Sequence, residues 1–429
     1  MATLTVYSAP GAAVPTTGFW TRARKAGLAF LVIGVLAAGI FGPLARQHKS
    51  ARFTFTQTIT GAHVDIPAQP GAIAFGLLCA IAGAILLAWG RAARMLVLLI
   101  SLALVFLVLS FLCWQVASGR NSTVLPLGDL SNSTVKAALP LVFGALGGVL
   151  CERSGVINVA IEGQLLTGAF AGALFGTIFS SSWAGLIAAA LGGVFISALL
   201  AVLAIRYLVD QVVLGVVLNL FALGFTGFVF TQLMAQHQDK YNFAPVFPSW
   251  QVPGLSRIPI LGPAFFQGNF FVYLAIALVV LVHVGLFQTK WGLRTRAVGE
   301  HPTAADTVGI KVYRIRYRNV LLAGVIAGIG GAYLTIGDVG NFNANQTSGR
   351  GFIALAALIF GRWSPFGATL AALLFGFSTA LAQVLSVIGS PIPQEFLSML
   401  PYVATIVAVA GLVGRVRAPA ADGKPYLKG

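Results

Sequence analysis

The sequence predicts an all-α polytopic membrane protein with about 10–12 spans, short broken helices among them. Two observations carry that reading. Hydrophobic residues make up 58% of the 429-residue chain and charged residues only 9%, whereas a soluble globule carries about 25% charge because its surface must be wetted. Apolar segments close to span length then recur from residue 26 to residue 414. Lipid is the main solvent, and a soluble enzyme, a nucleic-acid-binding domain or a disulfide scaffold fits this composition poorly. Cys79, Cys113 and Cys151 stand far apart, with no metal or disulfide spacing.

The elements follow in order. Residues 1–25 are small, polar and interrupted by Pro and Gly, and read as a flexible tail. Arg22, Arg24 and Lys25 precede an apolar run over 26–44 without a clean cleavage site. It reads as a retained span, a cleaved signal peptide being the alternative. Further apolar segments cover 71–89, 95–116, 138–151, 156–179, 183–205, 212–234, 270–288, 319–336, 352–361, 366–384 and 397–414. About 20 helical residues cross a ~30 Å hydrocarbon core. The segments 138–151 and 352–361 are therefore too short to cross alone and read as half-helices or re-entrant segments. Residues 26–135 read as an N-terminal membrane extension of plain apolar spans. From 136 to 414 the spans carry Gly, Asn and acidic residues, and the working core is placed there, with the loop 289–318 inside it and a tail over 415–429.

Charge sets the expected orientation. Twelve crossings with both termini inside put nineteen of the 27 Lys and Arg residues on the cytoplasmic side, seven of them between Lys290 and Arg318. The mirror topology would put those nineteen outside, against the positive-inside rule. The same bias explains a net charge of +16 without a nucleic-acid partner.

Three constellations are candidates for function. In Cys151–Gln164 a short apolar segment ends at Glu152-Arg153, and Gly155, Asn158, Glu162 and Gly163 follow before a small-residue helix continues. An acidic residue at the centre of a lipid-facing helix costs roughly 2.5–3.5 kcal/mol. Glu162 is thus expected to face a cavity, a partner or the membrane edge, with an interfacial turn as the alternative. Gly155 and Gly163 would permit a break whose backbone lines a cavity. In Lys290–Ile310, Pro302 suits the first turn of a helix and Gly309 the position past its end. The helix between them, with Ala304 and Ala305 on a small face, reads as a docking element for a cytoplasmic partner; a solvated basic loop is the alternative. In Ser348–Gly367, Gly349, Arg350 and Gly351 enter the other short segment and Gly-Arg-Trp-Ser-Pro leaves it. A broken helix near each end of the core is the pattern of a transport path, and a tight loop between ordinary helices is the alternative. Small-residue pairs such as Gly168/Gly172 and Gly324/Gly328 allow close helix approach. Asn219, mid-span, reads as an interhelical hydrogen bond or a path contact. No phosphate-binding loop, HExxH or GxSxG motif occurs. The five histidines are isolated, so no catalytic residue, cofactor or metal is expected.

Together, ERSGVINVAIEGQLLTGAFAG, GLRTRAVGEHPTAADTVGI and GRGFIALAALIFGRWSPFGA resemble the permease subunits of ABC importers of the branched-chain amino acid, ribose and nucleoside branch, most like the nucleoside and simple-sugar permeases. The resemblance covers roughly 136–414. His301 stands where the family pattern has Asn after Gly-Glu, and Ala160 where it has Gly before Glu-Gly. The resemblance implies a type II importer permease bundle, a transport subunit and not an enzyme, forming half of a path for a nucleoside, purine or simple sugar. It implies a cytoplasmic ABC ATPase docked on Gly299, Glu300, Pro302, Ala304, Ala305, Asp306 and Gly309, and a second permease subunit that forms a heterodimer with this one. It also implies an extracytoplasmic substrate-binding lipoprotein and residence in a bacterial inner membrane. Asn158, Glu162, Asn219 and Arg350 are the path or gate candidates. The competing reading is an ion-coupled secondary transporter, for which only Glu162 and Asp338 offer intramembrane carboxylates.

Overall fold

The computed structural model describes residues 21–57, 61–89, 93–400, 402 and 417–428. Most of the span expected over 397–414 and most of the tail expected over 1–25 lie outside the described residues. The chain divides into two compact units: Met1–Arg52 with Asp65–Thr123, and Phe53–Val64 with Val124–Gly429.

The first unit holds three long apolar helices, α1 (Arg22–Leu44), α2 (Ala68–Trp89) and α3 (Ala93–Ala117). Glycines let α1 and α2 touch backbone to backbone: a Cβ on Gly34 would stand 2.4 Å from the Ala80 nitrogen, and one on Gly83 2.4 Å from the Leu31 nitrogen. The chain also holds three short strands, β1 (Ser50–Thr54), β2 (His63–Pro67) and β3 (Val124–Pro126). These strands are a small exception to the all-helical class.

The second unit runs α4 (Leu127–Glu152), α5 (Ile161–Ile178), α6 (Ser182–Ala201), α7 (Gln211–Val229), α8 (Gln238–Tyr241), α9 (Phe270–Gln288), α10 (Lys290–Glu300), α11 (Pro302–Thr307), α12 (Val312–Tyr333), α13 (Arg350–Phe360), α14 (Pro365–Ile388) and α15 (Gln394–Ser398). Among the described residues eight helices are long and apolar enough to cross a membrane. α5 and α12, which carry more polar residues, pack between them.

Three expectations need correction. The segment 138–151 is not a half-helix: α4 begins eleven residues earlier and runs 26 residues. Its first turns carry Asp129, Ser131, Asn132 and Lys136, which break the apolar run while favouring the helix start, where Asp129 meets the positive end of the dipole. The span expected from 156 starts at Ile161, leaving 153–160 irregular. The span expected from 319 starts at Val312, with Arg316 buried inside the protein. The segment expected over 352–361 is indeed a short helix of 11 residues.

Glycine contacts hold the centre. A Cβ on Gly193 of α6 would stand 2.1 Å from the Gly324 carbonyl of α12, and one on Gly168 of α5 2.2 Å from the Gly328 carbonyl. With no hydrophobic gain between helices in lipid, such close approach supplies the packing. Gly328→Leu should therefore destabilise the purified permease by about 1–3 kcal/mol or more, lowering its detergent-phase melting temperature. Gly39→Leu, with open space around it, should leave that temperature unchanged.

Candidate functional site

The irregular segment 153–160 is wired on every side. Its backbone leaves the helical ladder, so each polar group needs another partner. The Ile157 amide donates to Gln211 Oε1 of α7 at 2.7 Å, and the Asn158 amide to Glu152 Oε1 at 3.4 Å. Asn219 of α7 accepts from the Gly163 amide at 2.8 Å and donates to the Val159 carbonyl at 2.9 Å. The Asn158 and Gln164 carboxamides exchange two hydrogen bonds, at 3.1 and 3.2 Å, and Gln164 donates onward to Ser197 of α6 at 2.8 Å. Trp363 Nε1 donates to Glu152 Oε2 at 2.5 Å, and Arg153 Nε to the Trp363 carbonyl at 2.9 Å.

Glu162, in the first turn of α5, closes a second junction. Its Oε1 accepts from Thr347 Oγ1 at 2.6 Å and the Gly349 amide at 2.8 Å, and its Oε2 from the Gly351 amide at 2.5 Å. The carboxylate thus sits on the N-terminus of α13, where free N–H groups and the helix dipole favour negative charge. Arg350 turns back to the Gln346 and Thr347 carbonyls at 2.9 and 3.3 Å, closing the approach turn.

The four expected path residues therefore gather around two junctions, and their polar atoms bond within the protein. The glycines differ in role. Gly155 and Gly349 adopt φ of +84° and +82° and make the breaks. Gly163 and Gly351 lie within α5 and α13 and serve contact: a Cβ on Gly351 would stand 2.4 Å from the Glu162 backbone.

At the Arg153 end, Pro302 opens the six-residue α11, and Gly309 ends it at φ +83°. Glu300, Ala304 and Gly309 are exposed and Asp306 half-buried, while Ala305 packs with Val298, Val312 and Tyr426. Gly299 is buried directly on the irregular segment, where a Cβ would stand 2.3 Å from the Arg153 carbonyl.

Two features were missed in the sequence. The tail 417–428 docks on this end: the Ala421 amide donates to the Gly299 carbonyl at 2.8 Å, the Ala420 amide to Glu300 at 3.2 Å and Arg316 to the Lys424 carbonyl at 3.1 Å. Tyr426, an aromatic in a polar tail, was the available signal. The second is the segment 334–349, of which the sequence marks only the polar stretch Gly337–Asn343; its Asn341, Asn343, Asn345 and Ser348 are exposed.

Residues 130–409 match the family described as the permease component of branched-chain amino acid transport systems. The chain belongs to this permease family. The permease is similar to the guanosine ABC transporter permease protein NupQ of Bacillus subtilis, 44% identical over 310 residues that cover 69% of this chain and 96% of the relative. It is similar to the nucleoside ABC transporter permease protein NupC of Lactococcus lactis, 44% identical over 300 residues, covering 67% and 93%. A glucose ABC transporter permease protein of Haloferax volcanii, TsgB13, is 28% identical over 274 residues, covering 60% and 69%. No solved structure matches. The permease is thus a multi-pass membrane transport component, of a kind that works with an ABC ATPase and a substrate-binding protein.

Docking of the tail carries a pH signature. Burial first, and the neighbouring Glu152 charge second, push the Asp422 carboxyl up to about 8, against the lowering pull of the Gly423 backbone hydrogen bond and of Arg316. A free tail releases that proton near 4. The docked form binds more protons, so docking weakens as pH rises from about 4 through about 8. Chymotryptic cleavage after Tyr426, which is buried in the docked tail, normalised to the free peptide, should be faster at pH 9 than at pH 6, and Asp422→Asn should abolish the difference. Equal protection of the wild-type tail at both pH values would contradict this.

Proposed function

We propose that this permease forms half of the path of an ATP-driven importer for nucleosides or purines, in a bacterial cytoplasmic membrane with both termini inside. A second, related permease completes the path, an ABC ATPase grips Gly299, Glu300, Pro302, Ala304, Ala305, Asp306 and Gly309, and a substrate-binding lipoprotein delivers solute from outside. The guanosine and nucleoside relatives, similar over nearly their whole length, support the solute class. A simple sugar is the second reading, supported by the glucose relative.

The observation that carries the mechanism is the unbroken physical connection between the two junctions. Gly299, at the end of α10, bears on the Arg153 carbonyl with no side chain between them. Displacement of α10 and α11 by a closing ATPase would therefore enter the irregular segment 153–160. Asn158 through Gln164 and Ser197, and Asn219 through Gly163, pass it to α5, α6 and α7. Glu162 passes it to α13, with Arg350 holding the approach turn. In this reading Asn158, Glu162, Asn219 and Arg350 set the geometry of the gate. They move as a unit because each is bonded across an element boundary.

Two substitutions test it. Gly299→Val would drive a side chain into the Arg153 carbonyl, and Glu162→Ala would leave three donors at α13 unpaired, each worth about 1–3 kcal/mol. Both should cut guanosine uptake more than ten-fold in cells while the ATPase still co-purifies with the permease. Unchanged uptake in both variants would overturn the coupling route. Uptake that survives depletion of ATP while an ion gradient is held would overturn the importer reading in favour of ion coupling.

A further inference from the structure

The segment 334–349 runs down the side of α5. Its outer end is level with Gly176: a Cβ there would stand 3.1 Å from the Ala244 side chain, and the Ala244 amide donates to the Gly340 carbonyl at 2.8 Å. Its inner end, Thr347, is bonded to Glu162. Fourteen residues of helix separate Gly176 from Glu162, a drop of ~21 Å at 1.5 Å per residue. Phe342 marks the way down, its ring 5.6 Å from that of Phe170. The chain between Gly340 and Thr347 therefore lies within the thickness of a ~30 Å bilayer core.

Phe342 and Thr347 point inward and are buried, while Asn341, Asn343, Asn345 and Ser348 are exposed. The three asparagine carboxamides make no side-chain hydrogen bond to any described residue. Ser348 spends its proton on the Asn345 carbonyl at 2.9 Å and keeps its acceptor sites. Irregular backbone and unpaired carboxamides facing lipid would cost several kcal/mol each. They are tolerated only where they line water or a partner.

We propose that Asn341, Asn343, Asn345 and Ser348 form the solute-contacting wall of the path, selecting an uncharged solute dense in both hydrogen-bond donors and acceptors. This rests on the transport reading above. Each carboxamide offers two donors and a two-lone-pair acceptor without charge, which suits a nucleobase edge or sugar hydroxyls. A phosphorylated solute finds no charge on the row itself, and the nearby Arg350, not exposed, turns its Nη1 back to the Gln346 and Thr347 carbonyls. Asp338, exposed at the outer approach, adds repulsion of anions.

The test uses the full importer, with its ATPase, partner permease and binding protein. The double substitution Asn343→Ala with Asn345→Ala should raise the half-saturating guanosine concentration at least ten-fold, with unchanged co-purification of the ATPase and partner permease and an unchanged melting temperature. Guanosine monophosphate should remain excluded from the wild type. A positively charged, membrane-impermeant thiosulfonate reagent should label N343C and N345C faster than L220C, on the exposed apolar face of α7, and guanosine should slow the labelling. The three native cysteines are buried and add no background. Wild-type uptake kinetics in the double variant, or N343C and N345C labelling no faster than L220C, would overturn the solute-wall proposal while leaving the importer reading intact. Loss of the partner permease from the double variant would assign the row to a protein interface and likewise overturn it. A wild-type complex that moves no nucleoside would overturn the nucleoside reading on which the proposal rests.

Discussion

A carboxylate placed on a helix end inside a membrane protein is the constraint on which the core depends. Glu162 costs free energy to bury, and free N–H groups at the start of α13 cost free energy to leave unpaired. Bringing them together offsets both costs, through hydrogen bonds to Gly349 and Gly351 that are charge-assisted and a helix dipole of the right sign. α13 is thereby allowed to begin in the interior, only 11 residues long. The approach of the two elements in turn demands glycine at position 351.

The second break follows the same logic, with neutral carboxamides beside Glu152 and Arg153. The irregular segment 153–160 is held by carboxamides of Asn158, Gln164, Gln211 and Asn219, each bonding across a boundary between elements. Neutral partners hold geometry without the desolvation cost of an ion pair. One end of this segment meets Gly299 beside the short Pro302–Thr307 helix; the other leads into Glu162. A chain of polar contacts with few slack points is suited to transmitting small rigid-body shifts, because packed interiors deform little. The docked tail adds a strap across the Gly299 end.

Much of this was legible in the sequence, and the remainder was hidden for definite reasons. Hydropathy located the long spans, and Pro302 with Gly309 marked the short helix, since both signals are local. The shortness of α13 was also readable, from the glycines and the Gly-Arg-Trp-Ser-Pro exit. The start of α4 was not, because Asp129 to Lys136 interrupt the apolar run at a polar end of the bundle. Gly163 and Gly351 looked like hinge residues, but glycine for conformation and glycine for contact leave the same letter. The partners of Glu162 lie 185 and more residues away, and nothing local announces them. The polar stretch that holds Asn341 and Asn343 is visible in the sequence ahead of α13, but its depth beside α5 is set by contacts with Phe170 and Ala244 that no local pattern shows.

The most direct measurement is amide hydrogen exchange of the segment 345–352 in the assembled transporter, with the ATPase held open without nucleotide and held closed by a non-hydrolysable ATP analogue. If the irregular segment carries motion from α10 and α11 to the Glu162 junction, protection of the Gly349 and Gly351 amides should change at least several-fold between the two states. Identical protection in both, with the ATPase demonstrably closed, would contradict the account.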